Sequence, residues 1–328
     1  MNLLLLGGTQ FVGRTVAAMA IERGHRVTLF HRGKTNPDLF PEADHRLGDR
    51  LDDLGALGQD TWDAVLDVSA YVPRAVHMAV EALQGRVGLY GFISTISVYD
   101  SNQPSPIRED GVQLGLDDPT TEEITATTYG GLKVRCEQAL WGLHHGPNLV
   151  IRPGLIVGPH DSTDRFTYWP WRMRQGGEIL IPETRQRIQW IDVRDLAAWT
   201  LDSLEAGRQG TYNAVGPQEP TTLTELLEAT HQALGEPGQL VRVDEEQLVA
   251  AEVGGSDLPF WMAGLPRASL MDVDSRAAQA TGMWFRPIAE SVRDLLAQWD
   301  ADRGDERPKV GLTREREAEI LATLSPNG

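Results

Sequence analysis

Gly7-Gly8-Thr9-Gln10-Phe11-Val12-Gly13 constrains the fold of this chain more than any other stretch. It follows Asn2-Leu3-Leu4-Leu5-Leu6, a short apolar run that reads as a buried strand. It precedes Arg14 to Arg23, where Val16, Ala17, Ala20 and Ile21 recur at helical spacing. A glycine-rich turn between a buried strand and a helix suits a phosphate. Glycines let the backbone approach closely, and the helix N-terminus offers unpaired N–H groups and the positive end of its dipole. A glycine-rich match in isolation carries little weight, but this one has its context. Gly24 closes the helix and Arg26-Val27-Thr28-Leu29-Phe30 supplies a second strand, so a βαβ unit of the dinucleotide-binding kind is complete by residue 30.

The rest of the first half alternates in the same way. Strands are predicted at His45-Leu47, Ala64-Val68 and Gly88-Ser94, with a helix from Arg74 to Leu83. A polar, Pro-rich loop runs from Ser101 to about Thr121. A helix over Tyr129–Leu143 and a strand at Asn148-Leu149-Val150-Ile151 follow. Strands alternating with helices imply an α/β fold with a Rossmann-like, doubly wound parallel sheet. Past Pro153 the pattern changes. Arg165 to Arg174 is dense in aromatics and interrupted by Pro170, and reads either as a lid over a pocket or as the packing of a smaller C-terminal lobe. Arg187–Ile191 reads as a strand, Val193–Leu204 as a helix and Thr211–Val215 as a return to the sheet. Thr222-Leu223-Thr224-Glu225 is a capping signature opening a helix to Leu234, and Thr313–Leu324 is an amphipathic helix. The expected division is a dinucleotide-binding domain over 1–155 plus about 188–215, and a substrate lobe over about 156–187 and 216–328.

Composition narrows the function. The 328 residues are 41% hydrophobic, which places the chain among soluble globular proteins. No apolar run approaches a membrane span, no secretory signal is recognisable, and the single Cys136 fits a reducing cytoplasm. The 30 basic and 47 acidic side chains leave a net charge of −17, which opposes nucleic-acid binding. The eight histidines show no metal-ligand spacing, so no metal is expected.

Two further stretches carry chemistry. In Tyr129-Gly130-Gly131-Leu132-Lys133, tyrosine and lysine four apart share a helix face. A free tyrosine is too weak an acid to act as a base at neutral pH, but a nearby ammonium favours the phenolate. The pair can then exchange a proton with a substrate hydroxyl or carbonyl. Two glycines inside a helix are unfavourable, so something must approach that backbone closely. Phe92-Ile93-Ser94-Thr95-Ile96-Ser97-Val98-Tyr99 begins as a buried strand and ends in hydroxyls, at the strand end that borders the ligand crevice of a doubly wound sheet.

These three features, in this order, resemble the short-chain dehydrogenase/reductase superfamily in its extended, epimerase/dehydratase-like branch. The resemblance continues in Arg152-Pro153-Gly154-Leu155-Ile156-Val157-Gly158-Pro159 and in Trp190-Ile191-Asp192-Val193-Arg194-Asp195-Leu196-Ala197. It implies that Tyr129 is the general acid/base, that Lys133 lowers its pKa and binds the nicotinamide ribose, and that Thr95 is the catalytic hydroxyl, with Ser94 and Ser97 beside it. It places Gly7, Thr9, Gln10, Phe11, Val12 and Gly13 at the cofactor phosphates, Asp49 near the adenine, and Arg50, Ser69 and Pro153 along the cofactor. His31, Arg32 and Lys34, with no acid at the end of the second strand, favour NADP(H), with NAD(H) as the alternative. Ser97, His160, Arg165, Tyr168, Trp169 and Arg187 are candidate substrate contacts.

The chain also departs from the branch. Gln10 stands where a glycine is usual, giving the GGxxxxG pattern of an atypical subgroup that includes reductases, sugar-nucleotide enzymes and plastid RNA-binding relatives. Asp67-Val68-Ser69-Ala70-Tyr71 replaces an Asn-x-Ala-like stretch, and Ile96 after Thr95 disfavours dehydration. The resulting expectation is a cytoplasmic NAD(P)-dependent oxidoreductase or epimerase acting on a sugar nucleotide or another carbonyl or hydroxyl compound, with a homodimer as the family-level arrangement. The alternative is a non-catalytic dinucleotide-binding sensor or RNA-binding module.

Overall fold

The computed structural model describes residues 1–262 and 271–324. The strands, in chain order, are β1 (Asn2–Leu6), β2 (Arg26–His31), β3 (Asp44–Leu47), β4 (Trp62–Asp67), β5 (Val87–Ile93), β6 (Asn148–Pro153), β7 (Leu155–Val157), β8 (Glu178–Glu183), β9 (Arg187–Asp192), β10 (Gly210–Ala214), β11 (Gly216–Thr222) and β12 (Gln239–Asp244). The helices are α1 (Phe11–Glu22), α2 (Pro73–Ala82), α3 (Tyr129–Leu143), α4 (Tyr168–Met173), α5 (Val193–Glu205), α6 (Leu223–Ala233), α7 (Glu245–Ala250), α8 (Arg276–Gln279), α9 (Ile288–Asp302) and α10 (Arg314–Leu324).

The chain divides into two compact units, Met1–Leu155 with Val193–Val215 and Val273–Trp284, and Ile156–Asp192 with Gly216–Asp272 and Phe285–Gly328. The first holds a seven-stranded sheet in the order β10-β6-β5-β4-β1-β2-β3, with every neighbouring pair parallel. Parallel neighbours require crossovers, and the helices supply them on both faces. The four leucines Leu3–Leu6 are fully buried, as a central strand covered on both sides demands. Leu4, Leu6, Val65, Tyr90, Phe92 and Val150 face a core completed by Ala75, Val76, Ala79 and Val80 of α2 and by Cys136 and Leu140 of α3. The helix α1 packs beside α5, and α2 beside α3. In register, Leu6 lies opposite Phe30 on one side and Asp67 on the other, so the carboxyl ends of β1, β2 and β4 stop at one level.

The second unit contains β7, β9 and β11 in one small sheet and the parallel pair β8 and β12 in another. The expected sequence boundary near residue 188 falls inside β9. That strand pairs with β11, so it joins the second unit, and the first resumes only at Val193. Thr222 and Glu225 form the reciprocal capping box at the start of α6. The helix α10 is docked through Glu317, whose carboxylate receives Arg172 Nε at 2.6 Å and the Leu180 N–H at 2.9 Å. Among the described residues, no helix is long and apolar enough to cross a membrane.

Candidate active site

The turn after β1 is built as its sequence requires. Gly7 and Gly8 have φ of +114° and +106°, a region that glycine tolerates and other residues rarely enter. A Cβ on Gly13 would lie 2.7 Å from Gly8 N, so the first turn of α1 sits directly on the glycines. Helix geometry leaves the first amides of α1 without intrahelical partners, the Gln10 side chain caps none of them, and no acidic residue occupies that turn. Asn36 Nδ2 donates to Thr9 O at 2.9 Å and ties the loop after β2 to the turn. Arg32 and Lys34 are exposed on that loop.

The ends of β4 and β5 meet α3 at Lys133. Lys133, 3% exposed, donates from Nζ to Ala70 O at 2.9 Å, in the turn after β4, and to Ile93 O at 2.7 Å, at the last residue of β5. The ammonium also lies 4.1 Å from the centroid of the Phe92 ring. Burial pushes its pKa down to about 8, against the pull of Cys136, Asp67 and Glu137 toward the charged form. Tyr129 opens α3, half-buried, with its ring centroid 6.4 Å from that of Tyr71. Thr95 follows β5 and accepts the Ser97 N–H at 3.1 Å, while its Oγ1 donates to Ser97 Oγ at 3.2 Å. The two helix glycines explain themselves: a Cβ on Gly130 would lie 2.1 Å from Ser97 O, and one on Gly131 would lie 2.6 Å from the Leu116 side chain. Only bare backbone lets Tyr129 begin its helix against the Thr95–Ser97 turn.

The structure reassigns several residues expected at the cofactor. Arg50 grips Asp67 with both terminal nitrogens, at 2.6 Å each, and also donates to Ser69 Oγ and Ala75 O. Its guanidinium, expected along the cofactor, is therefore committed to a buried ion pair. Ser69 Oγ is similarly engaged, donating to Leu6 O at 2.9 Å. The Asp49 carboxylate caps the following turn by accepting the Leu51 N–H at 3.1 Å. His31, 8% exposed, bonds His45 and the Gly33 N–H and supports the basic loop from beneath. Pro153 is buried at the end of β6.

Sequence reasoning missed two buried groups. Asp67 is fully buried. Against that burial, Arg50, the Ser69 amide and the Lys133 ammonium hold its carboxyl below the usual range, and the Ala70 N–H also donates to it. Glu137 and Arg152, both 3% exposed, meet at 2.6 Å, with Ser94 Oγ donating to Glu137 and Arg152 donating to Tyr99 Oη at 2.7 Å. The available signal was a charge inside an apolar stretch: Arg152 ends Leu149-Val150-Ile151, and a central strand buries such a residue only with a partner.

The expected substrate residues of the second unit divide into two kinds. Tyr168 and Trp169 are fully buried, and Trp169 Nε1 donates to Pro259 O at 2.9 Å. They are core residues, and the packing alternative for the aromatic segment holds, because ring and backbone neighbours leave neither side chain a free face. Arg165 is exposed, with its guanidinium 5.7 Å from the Phe260 ring centroid. Arg187 pairs with Asp272 at 2.7 Å. His160 holds φ of +65°, with Nδ1 3.6 Å from Asp302.

Known proteins match this architecture. The chain is 25% identical over 259 residues to the epimerase family protein SDR39U1 of Bos taurus, covering 72% of this chain and 82% of that protein. It is 29% identical over 257 residues to the chloroplast stem-loop binding protein of 41 kDa b of Arabidopsis thaliana, covering 72% and 64%. Its fold is similar to that of the Bordetella bronchiseptica enzyme WbmH, solved with NAD+, at a TM-score of 0.67 and 18% identity over 92% of this chain and 99% of that one. It is also similar to UDP-glucuronic acid 4-epimerase from Bacillus cereus, solved with NAD, at 0.66 and 16% over 93% and 99%. At these identities the structural likeness is one of fold. The family model that matches residues 3–215 reaches from β1 past β10, and the chain belongs to the NAD dependent epimerase/dehydratase family.

Proposed function

We propose that the protein is an NAD(P)-dependent oxidoreductase or epimerase in which Tyr129 exchanges a proton with the reacting oxygen of the substrate. One observation carries this reading: Lys133 stands one helical turn from Tyr129, its ammonium clamped to Ala70 O and Ile93 O beside Thr95. A buried cation at that place favours the phenolate form of Tyr129, so the phenol can give or take a proton near neutral pH. Thr95 and Ser97 orient the substrate oxygen. The bound dinucleotide supplies the hydride donor or acceptor. Gly7, Thr9, Gln10, Phe11, Val12 and Gly13 hold its diphosphate, an assignment that fits the glycine turn and the uncapped start of α1. Exposed Arg32 and Lys34 favour the 2′-phosphate of NADP(H). The substrate class is a sugar nucleotide or another carbonyl or hydroxyl compound, read from the family and from the sugar-nucleotide epimerases that share its fold.

The test is a turnover screen of UDP-sugars with each dinucleotide, comparing wild type with Tyr129→Phe. Turnover should fall by on the order of a hundredfold or more while dinucleotide affinity changes little. Retained turnover refutes the role of Tyr129. Tighter binding of NADH than NADPH refutes the cofactor preference.

The 29% identity to a chloroplast stem-loop binding protein motivates a second reading, a stem-loop RNA ligand. The net charge of −17 opposes it. A salt-sensitive shift of a labelled stem-loop RNA at physiological ionic strength would favour it over the enzyme.

A further inference from the structure

We infer that Asp67, gripped by Arg50, is a positioning residue for Lys133. Its Oδ1 accepts the N–H groups of Ser69 and Ala70, both at 3.1 Å, and so fixes the turn that follows β4. The carbonyl of that same Ala70 receives the Lys133 ammonium. The path is continuous: Arg50 orients the carboxylate, the carboxylate orients the turn, and the turn presents the oxygen that holds the lysine. Tyr90 Oη closes the fourth side, donating to Asp67 Oδ2 at 3.0 Å.

The turn also reaches the phosphate end of the site. A Cβ on Gly7 would lie 2.6 Å from Val68 Cγ2, and one on Gly13 would lie 3.0 Å from the same methyl group. Asp67 therefore sets both the lysine and the wall behind the glycines. The charges around Lys133 come from Asp67 at the end of β4, Arg50 after β3, and Glu137 with the neutral Cys136 thiol on α3 itself. Tyr71 and Phe92 present ring faces to it. Removing the Asp67 charge leaves Arg50 unopposed, so both changes act in the same direction on the lysine.

The inference rests on the proposal that Lys133 serves Tyr129, but its test is independent of turnover. The chain has three lysines, Lys34, Lys133 and Lys309, so lysine labelled with 15N at Nζ and 13C at Cε gives a spectrum that single substitutions assign. In Asp67→Asn the Lys133 titration midpoint should fall by about one pH unit or more, while Lys34 and Lys309 do not move. Tyr90→Phe removes one hydrogen bond from the same carboxylate and keeps its charge, and should leave the midpoint within a few tenths of a unit. An unmoved midpoint in Asp67→Asn overturns the inference, and so does an equal fall in Tyr90→Phe, which would report general loosening. If Asp67→Asn does not fold, Arg50→Lys decides. A single ammonium cannot reproduce the two-pronged grip, so amide exchange at Ser69 and Ala70 should accelerate at least about tenfold, and unchanged exchange overturns the inference. If these variants behave as expected but Lys133→Met retains full turnover, the catalytic reading fails and the positioning relationship stands.

Discussion

His31 Nε2 lies 2.8 Å from His45 Nδ1, and the bonds on either side fix which ring nitrogen carries the proton. The Gly33 N–H points at His31 Nδ1, so His31 is protonated at Nε2 and donates to His45, which in turn donates from Nε2 to Phe40 O. Both rings are neutral in this chain of donors. Burial, and then the neighbouring His45, hold the pKa of His31 below its ordinary value of 6.5. A base with a depressed folded pKa binds protons preferentially in the unfolded chain, so its contribution is intact above 6.5 and is lost as pH falls below it. The expected outcome is a fall in melting temperature between about pH 7.5 and about pH 5.5 that is smaller in His31→Gln than in wild type. Equal falls in the two proteins would exclude the pair as a source of acid sensitivity.

The basic loop above this pair gives a prediction on cofactor choice. Arg32→Ala with Lys34→Ala should weaken NADPH binding at least about tenfold and leave NADH nearly unchanged, because only the phosphorylated ribose presents the charge that these residues meet. Fluorescence titration with both dinucleotides reads the difference. A parallel loss for both would assign the loop a general electrostatic role.

Gly130 and Gly142 lie in one helix with opposite surroundings. A Cβ at Gly130 would strike Ser97 O, whereas nothing lies within 4 Å of one at Gly142. Gly130→Ala should therefore destabilise by about 1–3 kcal/mol through overpacking. Gly142→Ala should be neutral or stabilising by up to about 1 kcal/mol through helix propensity. Urea denaturation of the two variants measures both signs.

Lys133→Met tests the structural share of the same residue's role. It strands two buried carbonyl oxygens, Ala70 O and Ile93 O, and each loses its donor. A loss on the order of 2 kcal/mol in urea denaturation is expected, accompanying the loss of turnover. A variant as stable as wild type would mean that water or a rotated peptide replaces the ammonium.

Glu137 and Arg152 form the buried pair behind Ser94. Breaking it with Glu137→Gln or Arg152→Met should destabilise by about 3–5 kcal/mol, because the remaining charge stays buried without a partner. The double variant should lose less than the sum of the two. Additive losses in a double-mutant cycle would show that the two side chains act independently.

The sequence made the first unit legible where chemistry and local spacing coincide. The strand, glycine turn and helix of residues 2–22 obey rules that act over a few residues, and so does the Tyr129–Lys133 pair; in the second unit the capping box at Thr222 is legible for the same reason. What escaped was pairing at a distance. Arg50 reads as a cofactor contact until Asp67, 17 residues on, is seen to bind it with both oxygens. The aromatic run around Tyr168 and Trp169 has the same composition whether it lines a pocket or fills a core, and only its neighbours decide between them. Similarly, β9 was visible as a strand, but its partner β11 lies beyond α5 and β10 in the chain, so its sheet was not.

Arg172 and Glu317 are separated by 145 positions, yet each is the other's only carboxylate or guanidinium partner among the described ion pairs. During synthesis, β8 and the residues around it must wait for α10 to emerge before that guanidinium is neutralised. A chain cut short of Glu317 retains every residue of the glycine turn and of the Tyr129–Lys133 pair, but its second unit is left with a buried cation and an unanswered Leu180 amide. Loss of the C-terminal end should therefore open the second unit to proteolysis, which limited digestion of the shortened chain would reveal as cleavage around β8.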